Sequence, residues 1–586
     1  MDGSVKDGVP RVILDDASGF ERVYGCPVGI IRADRIEDIV GALTDIEQAL
    51  ARGCHAAGYL SYELGYALER RLVRLMPMRR NVPLLWFGVF DTCEIVPAEN
   101  ESKWPRTHAG PLRHEWDSDE HRAAFDCIHA LISAGDLYQA NVSYRTTFAF
   151  AGSPYAFYRQ LKTQSGARHC AFVDDGERQI LSLSPELFFA IGANGQITVK
   201  PMKGTAARGP TADADALAVA QLYASEKERA ENLMIVDLLR NDLAKIAVTG
   251  SVRVDSLFDV ETYPTLHQMV STVSARLLSV RNVSTIVRAL FPCGSVTGAP
   301  KLRAMEVIRA VETSPRGVYC GAIGHFAPDG AARFNVAIRT LTIAGSSGEL
   351  GLGSAVVHDS TAAAEYDECR LKAQFLETAR KPVQLIETLR FAPGDGFVRR
   401  ALHLARMERS ATVLGLPFDR ERGRAALDHA VRGCLASTRV RLILNETGEF
   451  HAETELISVS PSLWRYAISP YRVNSADSIV PHKTSRRRMY DRERARLVAE
   501  TGCDEVLFLN EKDELTEGSR SNVFVERDGR LFTPHLDCGL LDGCLRRELL
   551  DQRDCSEARL VRMDLETADR VFLGNSLRGL IPAVPA

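Results

Sequence analysis

Charge of one sign is nearly absent. The 72 basic and 76 acidic residues of the 586 leave a net charge of −4, so no basic surface favours nucleic acid or an anionic membrane. Long apolar runs are missing too. The stretch Leu84-Leu85-Trp86-Phe87-Gly88-Val89-Phe90 is far shorter than the ~20 residues that cross a bilayer, and it reads as a buried strand. The first residues, Met1-Asp2-Gly3-Ser4-Val5-Lys6-Asp7, are polar, which argues against a signal peptide. The 13 cysteines are scattered, with no two within three positions of each other. That spacing excludes zinc clips and disulfide frameworks and predicts reduced thiols. Repeats and low-complexity tracts are also absent. These absences predict a soluble cytoplasmic protein with no nucleic-acid or membrane partner.

What is present suffices for several cores. Apolar residues make up 45% of the chain and charged ones 25%, an ordinary globular balance, and the length predicts two to four domains. Residues 1 to about 95 mix short strands with helices such as 36–52, and prolines mark 96–116 as a connector. A helix over 118–134 is expected, with Ser118 as its cap. Strands are expected over 180–191, 196–200, 333–343 and 350–357. Between them, the helix 225–245 is apolar nearly all round in its middle and is expected inside. Strands and helices in separate runs predict an α+β fold. A helix from Thr361 stops before Pro382, because proline cannot continue it. The expected domains are therefore 1–114, 115–380 and 383–586.

Lys203 lies in Val199-Lys200-Pro201-Met202-Lys203-Gly204-Thr205, at a glycine-bearing turn ahead of a helix carrying carboxylates. On that helix Glu228 and Glu231 share one face, and Glu365 and Glu368 repeat the spacing further on. Four such oxygen donors suit Mg²⁺; the alternative is two solvated helix faces. Glu186, in Ser184-Pro185-Glu186, is either a strand-edge charge or a general acid. His267 is either a packed histidine or a catalyst. Arg339 stands within an otherwise apolar strand and needs an anion. Gly351-Leu352-Gly353-Ser354-Ala355 offers backbone amides at a turn. Gly294 to Lys301 imitates a phosphate loop but lacks its Gly-Lys-Ser/Thr ending, which excludes ATP binding.

Residues 115 to 378 resemble the chorismate-utilising enzymes: anthranilate, isochorismate, salicylate and aminodeoxychorismate synthases. The matching segments are Gly135 to Asn141, Leu183 to Glu186, Glu231 to Asp242, Phe291 to Lys301, Tyr319 to Gly324, Arg339 and Glu365 to Lys372. The match over 1 to 95 is weaker. The resemblance implies a layered sheet-and-helix fold and Mg²⁺ held by Glu231 and Glu368, with Glu228 and Glu365 ligating directly or through water. It places the chorismate carboxylates near Tyr319, Arg339, Gly353, Ser354 and Lys372, and His267 near the C4 hydroxyl. Pro201-Met202-Lys203-Gly204-Thr205 is similar to the aminodeoxychorismate branch, which has lysine where anthranilate synthases have alanine. By that similarity Lys203 adds to C2 of chorismate, Glu186 is the general acid, and ammonia attacks C4. No glutaminase-like Gly-x-Cys-x-Gly turn is present, so the resemblance implies a separate glutamine amidotransferase subunit as the ammonia source.

The last 200 residues carry a second lysine. Lys483 stands in Pro481-His482-Lys483-Thr484-Ser485-Arg486-Arg487-Arg488 and Glu517 in Glu514-Leu515-Thr516-Glu517-Gly518. Gly539 to Arg546 reads as a turn feeding a helix N-terminus, a natural phosphate seat, and Arg406 is a further phosphate contact. Alone, the lysine segment is equally a solvated basic loop. Together these segments resemble the class IV pyridoxal-phosphate enzymes, related to D-amino acid and branched-chain aminotransferases. The resemblance implies a two-subdomain α+β fold, pyridoxal 5′-phosphate joined to Lys483, and Glu517 at the pyridine nitrogen. It implies a phosphate held by Arg406, the amides of Cys544 and Leu545, and Asn575 and Ser576. It also implies a homodimer through this domain. Leu541-Asp542-Gly543-Cys544-Leu545-Arg546 departs from the usual Leu-Pro-Gly-Ile-Thr-Arg. Thr388 falls where aminodeoxychorismate lyases have an active-site threonine, or is an ordinary strand residue. Motifs alone do not separate lyase from aminotransferase, but the first unit's product favours a lyase, giving consecutive steps from chorismate to aminodeoxychorismate to 4-aminobenzoate plus pyruvate for folate. An aminotransferase or catalytically inert second unit and an anthranilate synthase-like first one are the alternatives.

Overall fold

The computed structural model describes residues 9–15, 19–98, 104–263, 266–278, 282–457 and 462–586. The polar stretch Met1 to Asp7, Thr265 and part of the 96–116 connector lie outside them. The described chain is α+β and forms two units. The first comprises Met1–Ser102, Leu112–Thr147 and Phe157–Ala379; the second comprises Lys103–Pro111, Phe148–Ala156 and Arg380–Ala586.

In the first unit an eleven-stranded and a ten-stranded sheet form successive layers with helices. Strand Leu85–Phe90 shows why its sequence is apolar throughout. Leu85 and Phe87 enter the core shared with the helices, while Trp86 and Phe90 enter the core shared with the other sheet. Alternation by two thus buries both faces of one strand. Strands from 1–114 extend both sheets at their ends, so those two stretches share their cores.

The expected strand 180–191 is two strands, Gln179–Ser184 and Leu187–Ile191, belonging to different sheets. Proline at 185 cannot donate to a ladder, and the chain crosses from one sheet to the other there. The expected strand 333–343 crosses in the same way, between Ala332–Val336 and Thr340–Ala344. Arg339 is in that crossing at φ 48°, in the left-handed region, rather than in a strand. The two crossings are bonded together: the Val336 amide donates to Glu186 O at 3.1 Å and the Leu183 amide to Arg339 O at 3.1 Å.

Three further expectations change. The helix Ser118–Ser133 is capped by Asp117, whose carboxylate accepts from the 119 and 120 amides, while Glu120 closes a capping box. The helix Glu226–Ala244 buries one face, through Ile235, Val236, Leu239 and Leu243, and exposes Leu233. Gly351 to Ala355 is inside strand Ser347–Val356, not at a turn.

In the second unit a four-stranded sheet carries helices Arg400–Leu414 and Arg420–Ala430 on one face. Val440, Leu442 and Leu444 of strand Thr438–Leu444 pack on Leu404, Met407 and Leu427. The alternate residues Arg439 and Arg441 face a cavity of about 600 Å³, as does Thr388 of strand Leu385–Ala392. Residues of a mixed eight-stranded sheet, among them Glu517, Ser519 and Asn522, line the same cavity. Among the described residues no helix is long and apolar enough to cross a membrane.

Candidate functional sites

In the first unit Lys203 sits in strand Met202–Ala207, where the register slips between Met202 and Thr205. Such a bulge re-aims a side chain. Gly204 (φ 88°) completes it, and a Cβ there would come within 2.9 Å of Glu228 Oε2. The N-terminal turn of helix Glu226–Ala244 therefore lies against the lysine's own turn. Lys203 faces Glu186 on one side and Glu231 and Glu368 on the other, near enough to favour their charged forms. Glu186 is buried, and burial pushes it up to about 7, with the Ser295 hydroxyl and the Lys203 ammonium acting against that rise. A carboxyl half-protonated near neutrality is equipped to give up a proton.

The two glutamate pairs come within electrostatic reach of each other. Burial raises Glu231, and Glu228 and Glu365 add to the rise. Glu365 accepts from Ser360 Oγ at 2.7 Å through Oε1, while its buried Oε2 has no partner. Glu368 is half-exposed and pairs with Lys372 at 2.7 Å. An orphaned buried carboxylate oxygen among other carboxylates is a hard-oxygen donor set, and it fits Mg²⁺. Among the described residues no three of these glutamates bring ligand atoms within 4.8 Å of one another.

Of the residues expected at the substrate carboxylates, Tyr319, Gly353, Ser354 and Lys372 lie together. The Tyr319 ring lies flat against Gly351 and Gly353: a Cβ on Gly351 would approach it to 2.2 Å, and one on Gly353 would be 3.1 Å from the hydroxyl. Lys372 Nζ donates to Gly353 O at 2.8 Å, and buried Ser354 follows on the same strand. The Arg339 guanidinium has no hydrogen bond or ion pair among the described residues, and burial lowers its ordinary value. His267 differs. Its Nε2 meets Asp215 Oδ1 at 2.8 Å and its Nδ1 meets Thr262 Oγ1 at 3.0 Å, so both ring nitrogens are engaged within the protein. Lys301, the end of the phosphate-loop imitation, bonds Asp242 at 2.5 Å and Leu290 O at 3.1 Å. Ser295, which sequence reasoning passed over, was signalled only by its place in that glycine-rich turn.

In the second unit Lys483 is held by its backbone, whose carbonyl accepts from the Ile386 amide at 2.8 Å. Burial, then Arg487 and Arg406, push its amine down to about 8, against Glu387 and Glu517. Glu517 is pushed up to about 7 by burial, although the Leu541 amide donates to it at 3.2 Å. Gly543 is required here, since a Cβ would stand 1.8 Å from Asn522 Oδ1. It precedes helix Cys544–Asp551, which no side chain caps, so the Cys544 and Leu545 amides are open to an anion. A lysine whose amine is pushed down to about 8, a buried carboxyl and an uncapped helix in one cavity fit pyridoxal phosphate.

The remaining cradle residues are engaged differently from the expectation. Arg406 grips Glu387 at 2.9 and 2.6 Å and Asp542 O at 2.9 Å, leaving two of its five N–H donors for a phosphate. Glu387 lies on the core face of its strand; burial would raise it, but Arg406 and His403 hold it down at about 2. His403 Nδ1 meets Glu387 Oε2 at 2.6 Å and Nε2 meets Ser576 Oγ at 2.7 Å. Burial favours the neutral ring, which then accepts the Ser576 proton. Glu387, His403 and Cys544 have metal-like spacing, yet the carboxylate is filled by arginine and imidazole donors. Asn575 shapes its own turn, accepting from the Leu577 and Arg578 amides at 3.1 Å. Glu387 and His403 were missed because neither residue alone carries a periodic or motif signal.

Comparison with known proteins follows this geometry. Residues 384–584 match the model for amino-transferase class IV. Among curated relatives, an aminodeoxychorismate synthase of Streptomyces griseus is 43% identical over 279 residues, 47% of this chain. The chain spans 39% of that protein's length. Aminodeoxychorismate synthase component 1 of Escherichia coli is 40% identical over 336 residues, 53% of this chain and 74% of that one. Among solved structures, anthranilate synthase component I of Streptococcus pneumoniae superposes with a TM-score of 0.54 at 26% identity, covering 61% of this chain and 92% of that one. The model for chorismate binding enzymes matches residues 30–378, reaching into the part where the motifs were weaker, and the chain belongs to that family.

Proposed function

We propose that the chain makes 4-aminobenzoate in two steps. The first unit aminates chorismate to 4-amino-4-deoxychorismate, and the second eliminates pyruvate from that product. The observation that carries this reading is the same pair in each unit: a lysine beside a buried carboxyl poised at about 7, Glu186 with Lys203 and Glu517 with Lys483.

In the first step Lys203 attacks C2 of chorismate, the ring double bond shifts, and the C4 hydroxyl leaves as water with the proton of Glu186. Ammonia then attacks C4, the double bond returns and Lys203 departs. The ammonia comes from a separate glutamine amidotransferase subunit. Tyr319, Arg339 and the Gly353-Ser354 backbone orient the carboxylates; Glu231 and Glu368, with Glu228 and Glu365, would hold Mg²⁺, which would supply positive charge for a substrate carboxylate.

In the second step Lys483 takes the proton from C4 of the ring, and the enolpyruvyl group leaves as pyruvate while the ring becomes aromatic. Pyridoxal phosphate, when bound, supplies an electron sink conjugated with the substrate amine. Glu517 would pair with its pyridine nitrogen, the Cys544 and Leu545 amides with Arg406 would hold its phosphate, and Thr388, lining the same cavity, would face the substrate. The second reading, an aminotransferase, is favoured by the class IV match alone.

The purified chain given chorismate, ammonia, Mg²⁺ and pyridoxal phosphate, with no keto acid, is expected to release 4-aminobenzoate and pyruvate in equal amounts. Accumulation of aminodeoxychorismate with no pyruvate would overturn the lyase reading. Chorismate left unconsumed would overturn the first step.

A further inference from the structure

The arginines around the second unit's cavity divide into those with partners and those without enough of them. Arg406 holds Glu387, Arg487 donates to Ser519 O and Asp491, and Arg494 donates to Asp504 O. Arg106 and Arg486 keep donors to spare, as do Arg441 and Arg520 of the same lining, but these two adjoin each other. Both line the cavity. Arg106 Nε meets Asp477 Oδ2 at 2.5 Å and Nη1 meets Arg486 O at 2.8 Å. Its Nη2 has no hydrogen bond. The Arg486 side chain reaches only Thr107 O, at 3.3 Å through Nη1. Burial, and next the charge of Arg106, push Arg486 below its ordinary value, with Asp477 opposing. Two guanidinium groups share a single carboxylate at the cavity wall. Such a wall lacks one negative charge, and a guanidinium fork matches a carboxylate in shape.

Arg106 is not on a loose loop. Ser478 Oγ donates to its carbonyl at 3.2 Å, His108 Nε2 meets Leu414 O at 2.9 Å, and Arg380 Nε donates to Ala109 O at 3.0 Å. His108 and Ala109 pair in register with Ala151 and Phe150. A Cβ on Gly110 would come within 2.8 Å of Leu414 O, so the backbone runs flush against the unit. The Lys103–Pro111 stretch belongs to the second unit although it lies about 270 residues before Arg380–Ala586, the bulk of that unit, and it falls outside the 384–584 match.

We propose that Arg106, with Arg486, anchors a carboxylate of the second unit's substrate, so that preference for a dicarboxylate over a simple amino acid is set partly by the stretch around Arg106. This rests on the lyase reading for the identity of the substrate, which carries two carboxylates, but its test reads binding rather than turnover.

Chorismate carries both carboxylates and no amine, so at this cavity it binds without reacting; benzyl alcohol carries neither. The absorbance of the bound cofactor in the full-length holoenzyme reports binding at this cavity alone. Arg106→Gln is expected to weaken chorismate at least about tenfold, to leave benzyl alcohol within about twofold, and to leave the resting spectrum unchanged. Arg106→Lys keeps the charge without the fork and is expected to fall between. Unchanged chorismate affinity in both variants, equal weakening of both ligands, loss of cofactor in Arg106→Gln, or no response of the wild type to chorismate would each overturn the proposal. If chorismate affinity falls as expected while aminodeoxychorismate yields no pyruvate, the anchor stands and the lyase reading fails.

Discussion

The two units present the same pair of groups in opposite electrical surroundings. In the first, Lys203 stands among Glu186, Glu231 and Glu368, with Glu228 and Glu365 close by. In the second, Lys483 stands near Arg406 and Arg487, in a cavity walled by further arginines. The first site lacks a cation and the second lacks anions. That imbalance supports the proposed division: a divalent metal in one case, and a phosphate and substrate carboxylates in the other. A lysine beside a carboxyl therefore does not define a chemistry. The charge left unmatched around the pair selects the cofactor.

The sharpest way to break this comparison is to cross the two lysines. Lys483→Ala is expected to lower pyruvate release by roughly 10³-fold or more, with ammonia-dependent chorismate consumption kept within about twofold. Lys203→Ala is expected to do the reverse, leaving the spectrum of the bound cofactor intact. Steady-state assays of each step with its own substrate supplied would decide it. A variant that impairs both steps alike would dissolve the distinction.

Next in size is the buried carboxylate that the second unit uses internally. Glu387→Ala leaves Arg406 and His403 without their partner, and removing one side of a buried ion pair costs about 3–5 kcal/mol. Urea unfolding followed through the cofactor absorbance should show that loss. Stability within about 0.5 kcal/mol of wild type would mean that the arginine finds another anion.

The smallest effect is a pair of opposed pH limbs. Glu186 must be protonated to act as an acid, so the first step should decline as pH rises through about 7, by about tenfold per unit beyond it. Lys483 must be neutral to attack the cofactor aldehyde. The rate of cofactor uptake by the apoprotein should therefore climb toward about 8 and then level. An ordinary lysine would keep climbing past ~10, so a rise continuing that far would remove the claimed effect of burial and neighbouring arginines.

Local patterns in the sequence were sufficient for some of this and silent on the rest. The i,i+3 glutamates are legible because helical spacing alone puts them on one face, and Pro382 is legible because proline ends a helix whatever surrounds it. The crossings at Glu186 and Arg339 are not legible. An apolar run continuing past Pro185, or past Ile338, looks the same whether the strand stays in its sheet or changes sheets. Gly351 to Ala355 was placed at a turn because glycine favours turns, whereas here it makes room for the Tyr319 ring. Arg106 is beyond any window: its partner Asp477 is 371 residues away, and only tertiary structure brings them together.

The interleaving of the chain has a practical corollary. A gene fragment beginning near codon 380 would encode the residues that the class IV model matches, yet omit Lys103–Pro111 and Phe148–Ala156, which complete the second unit. Separating the halves for engineering, or grafting the C-terminal half onto another host, means bringing those short early pieces along, or supplying substitutes that reproduce their contacts.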